Sequence, residues 1–508
     1  MNSASYSRRG YMRVKKEATA GVALATDTLV EFLTESIAVN WDWTQVGAVA
    51  GSRSLNLRAV KDVVGPFVGS IELYVEPKTA GHFLCGVFGE DAHTTATAGV
   101  SELSVFTPKD VLPTYTVDIA RAGCGYVNRF FGVRFVKAVL SIDGNKLKMV
   151  VDVAAQRVFT NARVTAAVGS GTTLSLDQTS GIVAGDSLLV LDKDAPGTTL
   201  ATLTASAPSD ENTVTVSTIA ASLEVGDIAV IAAAVIDDED YARSKELTFV
   251  GGASVSFGKG RDAMQRLVAR TNCEQFEVTV DNGYKAVHAG TGINVVDRMP
   301  STILLKGVGV TAKVGQLHAN PELVDVLRST DPIGIRARFQ GQVLEANVAA
   351  AATATLASGS TGTVVVTAEA AGEDGNDYAI RVVQGTGTLS AALSGKLITV
   401  TLDTDTADNA VALVASVIDG LTGVSATSTS TGNVTAAANP DKVSLAGGRA
   451  ASEREMLEID LPSCVFAPFT PNVGADDVLM DTIDLTAQRD PDDGREARVR
   501  LRNSVASY

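Results

Sequence analysis

The stretch that decides the fold runs from Gly65 to Gly89 and reads GPFVGSIELYVEPKTAGHFLCGVFG. Side chains on an extended strand alternate between two faces, so Ser70, Glu72, Tyr74 and Glu76 fall on one side and Ile71, Leu73 and Val75 on the other. Pro77 ends that strand. From Lys78 to Phe88 the spacing becomes helical: Phe83, Leu84, Val87 and Phe88 gather on one side of a turn or two, and Gly89 stands where a C-cap belongs. A strand feeding a short apolar helix predicts a sheet with that helix packed back onto it. The stretch itself carries no catalytic pattern.

Working outward, the chain reads as mainly β. Met1 to Arg13 is a polar arm containing Arg8 and Arg9, and Val14 to Asn40 reads as one or two strands. Trp41 and Trp43 flank Asp42 on one face of an extended segment, either as packing aromatics at a strand end or as an anchor for a second subunit. Gln45 to Val64, with Arg53, Arg58 and Lys61, reads as a connection of unusual length for a compact domain. Phe130 to Val153 is a hairpin turning at Asp143-Gly144, apolar in places on both faces. Further strands are expected within Glu246 to Val343, with a short helix over Pro321 to Ser329, and the glycine-rich Gly252 to Gly260 reads as a bend between strands. Leu457 to Leu461 and Thr482 to Thr486 complete the sheet. Gln488 to Tyr508 reads as a basic arm carrying Arg495, Arg498, Arg500 and Arg502.

Two segments interrupt this pattern. Between Ala166 and Val235, TLSLDQTSGIVAGDSLLVL (Thr173 to Leu191) repeats as TVTVSTIAASLEVGDIAVI (Thr213 to Ile231), which predicts a small β-barrel or sandwich built by duplication. Val348 to Arg449 opens with a low-complexity linker. It then offers strands over Thr363–Thr367, Tyr378–Val383 and Lys396–Leu402, and a helical stripe at Val411, Val414, Ala415, Ile418 and Leu421 capped from Thr406 or Asp408. A last strand follows at Lys442 to Leu445. This reads as a small α+β module.

Composition narrows the function. The formal net charge is −16, and most of it lies in the two interruptions: eight acids against one lysine in Ala166–Val235, nine acids against four bases in Val348–Arg449. Duplex-gripping proteins depend on Lys and Arg displacing counterions, so this balance argues against a DNA clamp and suits a surface that DNA slides past. Cys85, Cys124, Cys273 and Cys464 lie far apart and read as apolar fillers, not as a zinc site or a disulfide framework. The start of the chain lacks an apolar leader, and its longest apolar run, Ile228 to Ile236, falls short of a membrane span, so synthesis in the cytoplasm is expected. The histidines His82, His93, His288 and His318 have no metal-binding spacing, and no nucleophile elbow occurs. Gly252 to Lys259 misses the phosphate-loop spacing. Asp237–Asp240, the aspartates from Asp403 to Asp408, and Asp490 to Gly494 lack a complete calcium-loop pattern and read as solvated or turn-forming acids. No enzyme, metal or cofactor is expected.

The order of these motifs resembles the tail tube proteins of long-tailed bacteriophages. The resemblance rests on Gly65–Gly89, with Gly65, Gly69, Ile71, Leu73, Val75, Pro77, Gly81, Leu84 and Gly89 as its core motif. It extends to PTYTVDI (Pro113 to Ile119), the hairpin Phe130–Val153, EIDLPSCVFAP (Glu458 to Pro468) and DTIDLTAQRDPDDG (Asp481 to Gly494), covering about three fifths of the chain. It implies an antiparallel β-sandwich or barrel-forming core with a packed short helix, in segments 1–165, 236–347 and 450–508. A β domain (166–235) and an α+β surface domain (348–449), of an Ig-like decoration type, would be inserted into it. It further implies a structural virion protein whose hexameric rings stack into a channel for genome delivery. The long loop with Arg53, Arg58 and Lys61 would stack rings, and the arms with Arg8, Arg9, Arg495, Arg498, Arg500 and Arg502 would join subunits. Implied partners are copies of itself, the tape measure, terminator and distal tail proteins, DNA passing through without specific binding, and a host surface touched by the inserts. The alternative is a β-rich adhesin binding glycans through the inserts.

Overall fold

A computed structural model describes residues 10–38, 43–48, 56–61, 65–97, 100–121, 125–237, 240–241, 244–260, 262–270, 273–288, 299–317, 332–346, 349–357, 362–429, 431–436, 442–450, 452–466, 480–491 and 494–508. Its sheets are overwhelmingly antiparallel, so the chain is a mainly β protein. The strand Phe67–Tyr74 pairs with Lys146–Ala155, which pairs with the second half of the long strand Val127–Asp143. The ladder continues through Cys273–Asp281, Gly309–Leu317 and Met480–Ala487 to the end of Ser452–Phe466. Ser452–Phe466 carries Ile333–Ala346 on one edge and Arg498–Asn503 on the other, followed by Ser101–Phe106 and Glu90–Thr97. The first half of Val127–Asp143 leaves this sheet to pair with Tyr115–Ala120, which pairs in turn with Tyr11–Lys16. Together these strands form a closed barrel.

The deciding stretch behaves as its alternation requires. Ile71, Leu73 and Val75 are fully buried, and the helix spans Pro77–Phe88 with the proline in its first turn. Gly89 ends it with φ +91°, its N–H bonding to the Cys85 carbonyl at 2.9 Å, a conformation that suits a residue without Cβ. The helix is buried all round rather than on one stripe. Phe83 packs on Phe135, with centroids 5.2 Å apart, and Phe135 stacks on Tyr115 at 4.8 Å. Gly81 and Gly69 are demanded by close approach: a Cβ at Gly81 would enter the Tyr508 ring, and one at Gly69 would strike the Ile37 backbone.

His82, on the same helix, is wedged edge-on against Tyr508 and Tyr115. Burial pushes its imidazole down to about 4 from 6.5. The unfolded chain therefore takes up a proton at His82 at a higher pH than the folded chain does. Stability from the neutral ring is full above about pH 6.5 and is lost as the pH falls toward 4. Urea denaturation of His82→Gln at pH 7 and pH 4.5 is expected to show a loss at pH 7 from poorer packing. The slope across that window should be shallower by up to about 3 kcal/mol.

The first inserted segment forms a six-stranded sheet running Ala162–Arg163, Ile228–Ile231, Ser187–Leu191, Thr199–Asp210, Thr213–Ile219, Gly171–Ser175. A bridge between Val164 and Leu176 joins its two edges, closing it like a small barrel. The sequence repeat pairs with itself: Leu174 faces Val214, and Leu189 faces Val230. Each pair occupies equivalent positions of the two copies, which gives the module a local two-fold axis. Each copy ends in the same turn, with Gly185 at φ +91° and Gly226 at +100°. The next residue, Asp186 or Asp227, accepts the N–H three residues back at 2.8 and 2.7 Å. The module's apolar cluster runs on into Tyr11, Leu29, Val127, Phe131 and Phe159 of the barrel, so the two share one core.

The second segment contains the three-stranded sheet Thr353–Ala357, Thr363–Ala368, Val424–Thr429 and a mixed sheet in which Ala379–Gln384 runs parallel to Leu397–Leu402. The helix Val411–Asp419 buries Val411, Val414, Ala415 and Ile418 as the stripe predicts. Its cap differs from expectation. Asp405 accepts the Ala407 N–H and caps a separate turn, Thr406–Asn409, while the helix starts after Ala410 with no side-chain cap. This module has its own apolar cluster, containing no barrel residue.

Three other expectations need correction. Gln45 to Val64 is not a bare connection, because Trp43–Ala48 pairs with Asn56–Lys61. Gly252–Gly260 is not a bend: Ala253–Lys259 is a strand paired with Ile333–Ala346. The basic C-terminal segment contains Arg498–Asn503, a strand in the barrel wall with Val499 and Leu501 in the core, and so is not an arm. The predicted helix Pro321 to Ser329 lies outside the described residues.

Candidate functional site

Three surfaces gather the residues singled out in the sequence. The first is the hairpin Trp43–Ala48 with Asn56–Lys61, a two-stranded sheet of its own that pairs with no other strand among the described residues. Trp43 stands opposite Lys61, and Val46 opposite Arg58. Arg8, Arg9, Trp41 and Arg53 lie outside the described residues. The second is the strand Glu90–Thr97, which among the described residues pairs on one side only, with Ser101–Phe106. Asp91 to Thr95 are exposed there, so the free edge is polar.

The third surface was not legible as a unit. On Ser452–Phe466, Leu457, Ile459 and Leu461 turn to the core, and Glu458 and Asp460 to the opposite face. There Glu458 is 0% and Asp460 2% exposed, so both carboxylates need cations. Strand register supplies them. Arg336 and Arg498 stand opposite Asp460 on the two flanking strands, and Arg338 and Arg500 stand opposite Glu458. Arg336 Nε donates to Asp460 at 2.7 Å, Arg498 to the same carboxylate at 2.6 Å, and Arg338 to Glu458 at 2.6 Å. Arg500 pairs with Glu458 too. The result is two rows, Arg-Asp-Arg and Arg-Glu-Arg, laid across three strands.

Four guanidiniums against two carboxylates leave the barrel face two positive charges in excess. The second insert brings the balancing acids on its turn Glu373–Asp377: Asp377 meets Arg336 at 2.7 Å, and Asp374 meets Arg338 at 3.5 Å. Lys396 reaches Asp377 at 3.4 Å, and Arg381 of the insert pairs with Asp262 of the barrel at 2.8 Å. Burial alone would raise the Asp460 carboxyl. Arg336, Arg498 and Arg500 outweigh it and hold that carboxyl far below the usual range. Asp377 is likewise lowered, Arg336 overcoming its burial.

Cavities of about 620 and 490 Å³ flank this ladder at the seam between barrel and insert. Arg495 lies in the wall of the smaller one and pairs with Asp91 at 3.4 Å, while Arg502 is buried. Arg495, Arg498 and Arg500 of the C-terminal segment therefore meet acids of their own chain. In the sequence they read as a basic arm, although Val499 and Leu501 between them give the period of a strand.

The core-motif residues position the helix. Pro77 opens it, Leu84 is buried within it, and Gly65 is unconstrained by neighbours. Among the described residues no group of three or more His, Cys, Asp and Glu side chains could hold a metal, and no helix is long and apolar enough to cross a membrane. No protein-family model matches this chain, and no curated protein matches it either.

Proposed function

We propose that this chain is a structural subunit of a bacteriophage tail tube, forming stacked six-membered rings that conduct DNA. The observation that carries this reading is the lone hairpin Trp43–Lys61. An isolated two-stranded ribbon is marginally stable in water, and among the described residues this one pairs with no third strand, so it calls for a neighbouring subunit. The free edge Glu90–Thr97 supports the same reading, since an open strand edge is a template for pairing that ring closure removes. The net charge of −16 suits a channel that lets DNA pass. The two inserts follow barrel strands and serve as outward decorations, available to a host surface. Tape measure, terminator and distal tail proteins would be the other partners, in the virion tail.

Negative-stain electron microscopy over a concentration series tests this. Rings with six-fold symmetry or hollow tubes are expected, and removal of Val348 to Arg449 should thin the outer wall without stopping assembly. Replacing Trp43–Lys61 by a short glycine-serine link should abolish tubes while leaving the β-sheet circular dichroism unchanged. A monomer at every concentration, with tail-initiator proteins present, would refute the proposal.

A further inference from the structure

We infer that the second insert is a latched arm: it swings as a unit on the two strands that join it to the barrel, and ion pairs across the seam hold it closed. The inference does not depend on the tail reading. The joint is a two-stranded stalk. Ile333–Ala346 and Ser452–Phe466 stay paired up to the point where Ala346 faces Ser452, and Ala350 faces Arg449 beyond it. Two register shifts fall just before that point, between Gln340 and Val343 and between Val343 and Glu345. Each gives the outgoing strand one residue more than its partner. A bulge interrupts the ladder and bends the bulged strand, so the stalk is most pliable where it leaves the barrel wall. Val343, at the bend, is half exposed.

What closes the arm is charge. No apolar cluster spans the seam among the described residues. Instead Asp377 meets Arg336 at 2.7 Å, Asp374 meets Arg338 at 3.5 Å and Arg381 meets Asp262 at 2.8 Å. The Lys396 N–H also donates to the Gln265 carbonyl at 2.8 Å. Burying such pairs strips water from both partners, a cost that largely offsets their attraction. Gln265 adds to that cost: it lines the smaller seam cavity, and its side-chain oxygen is buried with no hydrogen-bond partner among the described residues. Opening hydrates that oxygen. Units of one chain move relative to each other unless the interface between them is large and apolar. Closed and open arms therefore lie close in free energy, and the two aspartates on the turn Glu373–Asp377 decide between them. Opening uncovers Arg336 and Arg338 and carries the insert away from the barrel.

Small-angle X-ray scattering of the full chain, dilute and at low salt, tests this. Asp374→Asn/Asp377→Asn should raise the radius of gyration by about 2 Å over the roughly 23 Å of a compact chain of this length. Forward scattering and the circular dichroism spectrum should stay unchanged, which separates a swung arm from association and from unfolding. The parent chain supplies a second measurement that needs no variant to fold. Raising sodium chloride from about 0.05 to about 1 M shortens the screening length to about 3 Å. Asp374 is 80% exposed, so its pair with Arg338 meets that salt directly. The parent radius should then move toward that of the variant and return on dilution of the salt. A folded double variant with the parent's radius overturns the proposal, and so does a parent radius that stays constant up to 1 M salt.

Discussion

Replacing Arg129 by methionine is expected to destabilise the chain by about 3–5 kcal/mol, the range for removing one partner of a buried ion pair. Arg129 is 3% exposed, and its five N–H groups are all used. Nε and one terminal nitrogen donate to Asp118 at 2.7 and 2.8 Å. The terminal nitrogens also reach Asp186 at 2.6 and 3.0 Å and the Gly181 carbonyl at 2.9 Å. Methionine fills the volume but leaves two carboxylates facing each other in a dry site. Burial already lifts the Asp186 carboxyl above its ordinary range, with Arg129 pulling it back. Without Arg129 it should rise further. A raised carboxyl gains a proton on folding, so the difference between Arg129→Met and the parent should shrink as the pH falls from 8 to 5. Chemical denaturation at the two pH values measures this. Arg129→Met/Asp118→Asn/Asp186→Asn should recover part of the loss, because neutral amides tolerate the site better than paired carboxylates.

This residue also shows what the sequence could and could not reveal. The duplicated turn was legible from Val-x-Gly-Asp, and so was the β character of both copies. Nothing in the repeat said that Asp186 would take an arginine from the barrel while its counterpart Asp227 accepts the Lys193 N–H at 3.2 Å. That difference depends on which copy faces the barrel, a tertiary fact. The core motif was readable because Ile71, Leu73 and Val75 alternate and the proline and glycine mark the helix ends. The hairpin Trp43–Lys61 was hidden because neither of its strands has a clean apolar face. The arginine ladder was hidden for a different reason. Arg336 and Asp460 lie 124 positions apart, and only the register of three strands brings them level with Arg498.

Asp460→Asn is expected to cost at least about 3 kcal/mol, because it withdraws the charge on which Arg336, Arg498 and Arg500 converge. The amide keeps the volume and one acceptor oxygen, so the loss measures charge rather than packing. Arg336 also holds Asp377 of the second insert, which shares no apolar cluster with the barrel. The insert should therefore loosen with the ladder, and limited proteolysis should release residues near 348–449 earlier than from the parent. The pH dependence separates this residue from His82. A carboxyl held far below its ordinary value contributes its full stabilisation above about pH 4 and begins to lose it only below that, as the pH falls toward its folded value. Asp460→Asn should thus lower the stability curve by the same amount at pH 7 and pH 5, leaving the slope between pH 6.5 and 4 to His82. Urea midpoints across that range distinguish the two: a parallel displacement places the charge at Asp460, whereas a change of slope would mean that the carboxyl titrates near neutrality and that its arginines do not hold it.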